Sequence, residues 1–205
     1  MKKTALLILA FGLSLSAAFA GTPVLDKMIA ATDATGGLSI TFSITMEGQK
    51  SIEGHYRALG KKFHFSTSRM KAWYDGTNLW VYLEENGEVN LSIPMKEDLA
   101  LINPLLNLDE VKKADFEIRE SELPRVGHRV TAVPKGKTSS LITRLTAECN
   151  PDFVPTLIKI EEKGMSPVRV QVLSIKKGPF PEMNQKDFFS FLPSKLPGKP
   201  VIDLR

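Results

Sequence analysis

Hydrophobic and polar positions along the chain change period twice. From Pro23 to Thr35, Val24, Leu25, Met28, Ile29 and Ala31 or Thr32 recur at helical spacing, with Thr22 as N-cap, Pro23 in the first turn and Gly36-Gly37 as the stop. From Leu38 the period becomes two. Ile40, Phe42, Ile44 and Met46 alternate with Ser39, Thr41, Ser43 and Thr45, the pattern of a strand with one buried face. A second strand sets Ile52, Gly54, Tyr56 and Ala58 against Glu53, His55 and Arg57, and in a third Phe63 and Phe65 flank His64. The stretch Trp73 to Tyr82 reads as two strands joined at Asp75-Gly76, because glycine accepts the positive φ of a tight turn. Its second strand points Leu79, Val81 and Leu83 one way and Trp80 and Tyr82 the other. Both faces of that strand therefore need cover, from protein or from a ligand. Asn86-Gly87 then turns the chain into Val89, Leu91 and Ile93.

The alternation breaks at Pro94. Met95, Leu99, Ile102, Leu105, Leu106 and Leu108 follow at roughly helical spacing, with Pro104 bending or restarting the helix. Such an insertion packs on the sheet as an ordinary layer or acts as a lid. Strand patterns resume at Phe116 and Ile118, over 127–133 and 141–147, at Leu157 to Ile160, and at Val168, Val170 and Val172. Gly178-Pro179-Phe180-Pro181 cannot continue a central strand, and a short element over 188–192 precedes a proline-rich tail. Turn spacing predicts a mainly β (α+β) fold of about 10–11 strands, with an N-terminal helix and a central helical insertion.

The first twenty residues do not belong to that fold. Lys2 and Lys3, the apolar run from Ala5 to Leu15 and the small-residue site at Ala18-Phe19-Ala20 make residues 1–20 a signal peptide, cleaved after Ala20. The apolar run falls short of the ~20 residues a membrane-spanning helix needs. Gly21, not cysteine, follows the cut, so the new N-terminus is not lipidated and the expected product is a diffusible exported species. Residues 21–205 fit one domain with a sizeable core.

Charge and chemistry exclude more than they suggest. Without Lys2 and Lys3 the chain carries 25 basic and 23 acidic residues, and the basic ones are dispersed, leaving no nucleic-acid footprint. Cys149, the only cysteine, cannot form an internal disulfide and reads as a small buried hydrophobe. His55, His64 and His128 stand in strand patterns without metal-ligand spacing. Nucleophile-elbow and phosphate-loop motifs are missing, and Glu84-Glu85 and Glu161-Glu162 sit at strand ends, where they read as solvated. No catalytic residue, metal or cofactor is expected.

The residues Asp75-Gly76-Thr77-Asn78-Leu79-Trp80-Val81-Tyr82 resemble the D-G-x-x-L-W-x-Y hairpin of the LolA family of periplasmic lipoprotein carriers. Other landmarks fall in the same order. They are the leader and short helix, the strand Leu38 to Met46, the glycine of the second strand at Gly54, Phe63 and Phe65, Pro104-Leu105-Leu106, and Phe189, Phe191 and Pro193 near the end. The resemblance implies an incomplete antiparallel β-barrel with an apolar concave face under helices. It also implies a non-enzymatic periplasmic chaperone. Such a carrier takes acylated lipoproteins from an inner-membrane lipoprotein-releasing ABC transporter and passes them to an outer-membrane receptor. Family members often carry an Arg-Pro whose arginine helps latch the lid. This chain has Ala58-Leu59-Gly60 there, and Arg57 points to the face opposite residue 58.

Sheltering an acyl methylene from water stabilises by about 0.8 kcal/mol, so a chain of ~10 methylenes gains on the order of 8 kcal/mol. A carrier must release that cargo, and a cavity capped by its own helix when empty would offset the binding. The expected lipid-binding cavity comprises Ile40, Phe42, Ile44, Met46, Phe63, Phe65, Trp80 and Tyr82, under a lid bearing Leu99, Ile102, Leu105 and Leu106. Each of these also fits a plain packed core, since every sheet has an inner face. Two other readings stand beside the carrier: a lipid- or lipoprotein-sensing module on the same fold, which would usually bring a second domain for which the chain has no room after Leu192, and a small secreted hydrolase, disfavoured by the missing chemistry.

Overall fold

The computed structural model describes residues 21–95, 99, 116–136 and 142–205. Helix α1 (Pro23–Ala31) leads into a first antiparallel meander of β1 (Leu38–Met46), β2 (Ile52–Leu59), β3 (Lys62–Thr67), β4 (Met70–Tyr74), β5 (Leu79–Leu83) and β6 (Glu88–Ser92). A second meander contains β7 (Phe116–Leu123), β8 (Gly127–Pro134), β9 (Ile142–Cys149), β10 (Pro155–Glu162) and β11 (Val168–Lys177). Two 3-10 turns, Pro181–Asn184 and Pro193–Lys195, precede β12 (Val201–Asp203).

All twelve strands lie in one sheet, in the order β12-β6-β5-β4-β3-β2-β1-β11-β10-β9-β8-β7. Antiparallel pairing of β1 with β11 seams the meanders, and β12 runs parallel to β6. Among the described residues β7 and β12 do not pair, so the sheet is open. Along the seam Thr41 pairs with Ser174 and Phe42 with Val172. Leu173 is left as a bulge and is 51% exposed.

The main core lies on one face, where strand positions of both meanders meet α1. Leu25 and Met28 of the helix join Ile40, Phe42, Tyr56, Phe63, Phe65, Val130, Leu145, Ile158 and Val170. The helix ends at Ala31, short of the expected Thr35: Thr32 leaves helical geometry at φ −104° and ψ 11°, and its hydroxyl donates to carbonyls of the last turn. Thr22 makes no side-chain cap. Instead the Glu120 carboxylate on β7 accepts the Val24 and Leu25 amides at 3.2 and 2.9 Å. At the other end Lys177 Nζ donates to the Ala30 carbonyl at 2.8 Å. An anion at the N-terminus and a cation at the C-terminus both favour the helix dipole, and they pin α1 across the inner face.

The described strands number twelve, against the ten or eleven expected. The difference lies in the tail. Residues 188–192 form turns rather than a strand, and the alternation resumes after Pro200, whose carbonyl accepts the Val89 amide at 2.9 Å. Within the central insertion only Leu99 is described. It is half-buried against the main core, with its amide 3.3 Å from the Met95 carbonyl, and Ile102, Leu105 and Leu106 lie outside the described residues.

Candidate functional site

Register fixes which side chains share the inner face. One row runs through Ile40, Tyr56, Phe65, Ala72 and Val81, and the next through Leu38, Ala58, Phe63, Tyr74 and Leu79. Gly54 lies on the same face. Its missing side chain admits the Phe42 ring, which stacks on Phe65 with centroids 5.4 Å apart. Across the seam the face continues through Val170, Ile158, Ala147 and Val130 to Glu120 on β7. The apolar surface thus spans both meanders.

Of the eight residues expected to line a cavity, Ile40, Phe42, Phe63 and Phe65 are buried together in this face. Ile44 is half-buried against them, and Met46 is half-buried at the end of β1. Trp80 and Tyr82 are elsewhere. Val81 pairs with Ala72 on the inner face, so its neighbours Trp80 and Tyr82 project from the outer face. They form a second cluster with Trp73, Val89 and Phe191. Half-buried Met70, Val81, Ile160, Val168, Val172 and Ile175 also pack on the inner face. The sequence reading passed over them, although Val168 and Val172 show the same alternation that marked β1.

The outer cluster is covered by the chain itself. Phe191 lies 5.3 Å from Trp73, and Phe188 meets His64 edge-on. Lys195 Nζ ties this covering segment together, donating to the carbonyls of Asp187 and Ser190 at 2.6 Å each. His64 stacks on Trp73 at 5.3 Å. Burial, then the charges of Lys195, Arg57 and Lys71, push its pKa down to about 4. Arg57 does face away from residue 58, with its guanidinium 5.9 Å from the Phe188 ring centre.

The three histidines are separated. His55 meets Thr41 Oγ1 at 3.4 Å, His64 lies beneath Phe188, and His128 stacks on Phe153 at 4.8 Å. Among the described residues no cluster of His, Cys, Asp and Glu is placed to hold a metal ion. Cys149 is buried, its thiol pKa is raised by that burial, and its sulfur lies 3.7 Å from the His128 carbonyl. Nothing there activates a nucleophile. What the arrangement offers is apolar area and shape. Among the described residues no helix is long and apolar enough to cross a membrane.

One solved structure supports the same architecture. An uncharacterized conserved protein from Thermus thermophilus superposes with a TM-score of 0.56 at 12% identity, over 88% of this chain and 97% of that one. A LolA superfamily protein from Nitrosomonas europaea aligns more loosely, with a TM-score of 0.39 at 9% identity over 78% and 94% of the two chains. The complex structure of MucA and MucB of Pseudomonas aeruginosa gives 0.40 at 13% over 78% and 59%. No curated protein matches the sequence. The family model described as outer membrane lipoprotein carrier protein LolA matches residues 15–162. With a match over that much of its length, the chain belongs to the outer membrane lipoprotein carrier protein LolA family.

Proposed function

We propose that residues 21–205 act as a single-domain periplasmic chaperone that shields the acyl chains of lipoproteins between the inner and outer membranes. On this reading residues 1–20 direct export and are removed. The protein receives cargo from an inner-membrane lipoprotein-releasing ABC transporter and delivers it to an outer-membrane receptor or to the membrane. It does so without catalysis. The observation that carries the reading is the continuous apolar inner face, with half-buried Ile44, Val81, Ile160 and Val168 around a fully buried centre. Family membership supports lipoproteins as the class of cargo.

In this role the aliphatic positions bind by excluding water rather than by directional bonds, which suits a partner of variable chain length. Burying about ten methylenes gains on the order of 8 kcal/mol, so partial shelter is enough for useful affinity. The test is to purify the exported protein and identify bound lipid by extraction and mass spectrometry, then to displace a fluorescent fatty acid from it. Bound or displaceable acyl chains are expected, with Ile44→Asp weakening the probe about tenfold or more. A blank extract together with no probe binding would rule the carrier out.

A further inference from the structure

The sheet ends at β12, and its hydrogen-bond pattern states what that edge offers. Val89 donates to the Pro200 carbonyl at 2.9 Å and Leu204 donates to the Leu91 carbonyl at 2.8 Å. In a parallel ladder of this register (Val201 beside Val89, Ile202 beside Asn90, Asp203 beside Leu91), Ile202 turns its peptide groups toward β6. The N–H and C=O of Val201 and Asp203 therefore point away from the sheet, and among the described residues no strand pairs with them. Native edges are usually blunted by charge, proline or cover. This one is short, follows Lys199-Pro200 and carries the Asp203–Arg205 ion pair, yet it still exposes Val201, Ile202 and Leu204 at 41, 39 and 62%.

The same edge is where the apolar inner face stops. Leu79, Val81 and Leu83 on β5 pair with Ser92, Asn90 and Glu88 on β6, which places three polar side chains in a row along the inner face. Among the described residues the side chains of Asn90 and Ser92 make no hydrogen bond to the protein. A polar row with spare donors and acceptors, next to an unpaired backbone edge, suits polypeptide better than hydrocarbon.

We infer that β12 is the docking strand for the extended polypeptide that follows the acylated residue of a cargo. The acyl chain occupies the inner face, the first peptide groups cross the Asn90 and Ser92 row, and the peptide adds a strand beside Val201 to Asp203. The inference rests on the carrier reading above. From β5 to a strand beyond β12 is three inter-strand steps, ~14 Å, which an extended peptide covers in about four to five residues.

The shortness of the edge selects this occupant over a second copy of the chain. Two outward residues offer only a few main-chain hydrogen bonds, too little to offset the entropy lost when two free proteins associate. A segment already tethered by its acyl chain pairs at a millimolar effective concentration, and there a few bonds suffice.

The test uses the mature protein and three fluorescent probes: palmitate, an N-palmitoyl peptide of about ten residues, and the same peptide N-methylated at alternate residues to remove its donors. The acyl-peptide is expected to bind about tenfold more tightly than either of the others. Val201→Pro removes an outward N–H at a position where an edge strand tolerates proline. It should abolish that advantage while leaving palmitate binding unchanged. Equal affinity for all three probes overturns the proposal, as does an advantage that survives both N-methylation and Val201→Pro. A concentration-dependent dimer lost in Val201→Pro would assign the edge to a second copy and also overturn it. If palmitate itself fails to bind, the carrier reading falls and this inference with it. Because the N-methylated probe is used with the unaltered protein, the result does not depend on the variant folding.

Discussion

Single residues set the tolerances of the inner face. A Cβ at Gly54 would overlap the Phe42 ring and lie 2.9 Å from Thr67 Cγ2. Gly54→Ala is therefore expected to destabilise by about 1–3 kcal/mol, the usual range for overpacking, measured by urea unfolding. Unchanged stability would mean that Phe42 can leave its stack with Phe65 freely. His64 sets a pH limit on the opposite face. Its folded-state pKa, near 4, lies below the ordinary 6.5, so the folded state favours the neutral ring. Stability is complete above about pH 6.5 and falls as pH drops toward 4, where the unfolded chain takes up a proton that the folded one refuses. The loss reaches about 3 kcal/mol. His64→Phe should remove this step, and identical losses in both proteins between about pH 7 and pH 4.5 would refute the assignment.

At the scale of elements, the covering segment over 181–200 answers a question posed by β5 alone. A strand with Leu79 and Val81 on one side and Trp80 and Tyr82 on the other needs two covers. One is the inner core and the other is Phe191 with Leu196. The need for both was legible in the alternation. That the outer cover came from this chain rather than from a ligand was not, because nothing in period-two spacing says which distant segment returns. For the same reason Trp80 and Tyr82 were expected in the cavity. Phe191→Ala should cost about 3–5 kcal/mol and shift tryptophan emission to the red as Trp73 gains water. Leu192→Ala, one residue on and 37% exposed, should stay within about 0.5 kcal/mol. Similar effects from the two would mean that the segment does not pack as described. The helix was legible from its stripe and stop signals, but its N-terminal partner Glu120 lies almost a hundred residues away, beyond any local capping signature.

For the molecule as a whole, mainly β architecture and an antiparallel order within each half followed from turn spacing and alternation. The pairing of β1 with β11 did not. Strand identity is local, whereas the seam joins residues about 130 positions apart whose sequences are interchangeable as amphipathic strands. The parallel strand β12 was hidden for a related reason, since three prolines before it mask so short a run. Family likeness carried what periodicity could not, namely an incomplete antiparallel barrel with one apolar concave face.

That seam also dictates an order of assembly. Within each meander, partners are neighbours in sequence and can find one another quickly, but β1 and β11 must close a loop containing nearly the whole domain. During synthesis the half bearing β1 emerges first, with one flank of β1 unsatisfied until β11 arrives. The interval between those two events is when the apolar face that carries Ile40, Phe42, Phe63 and Phe65 lacks its second half and is most open to aggregation.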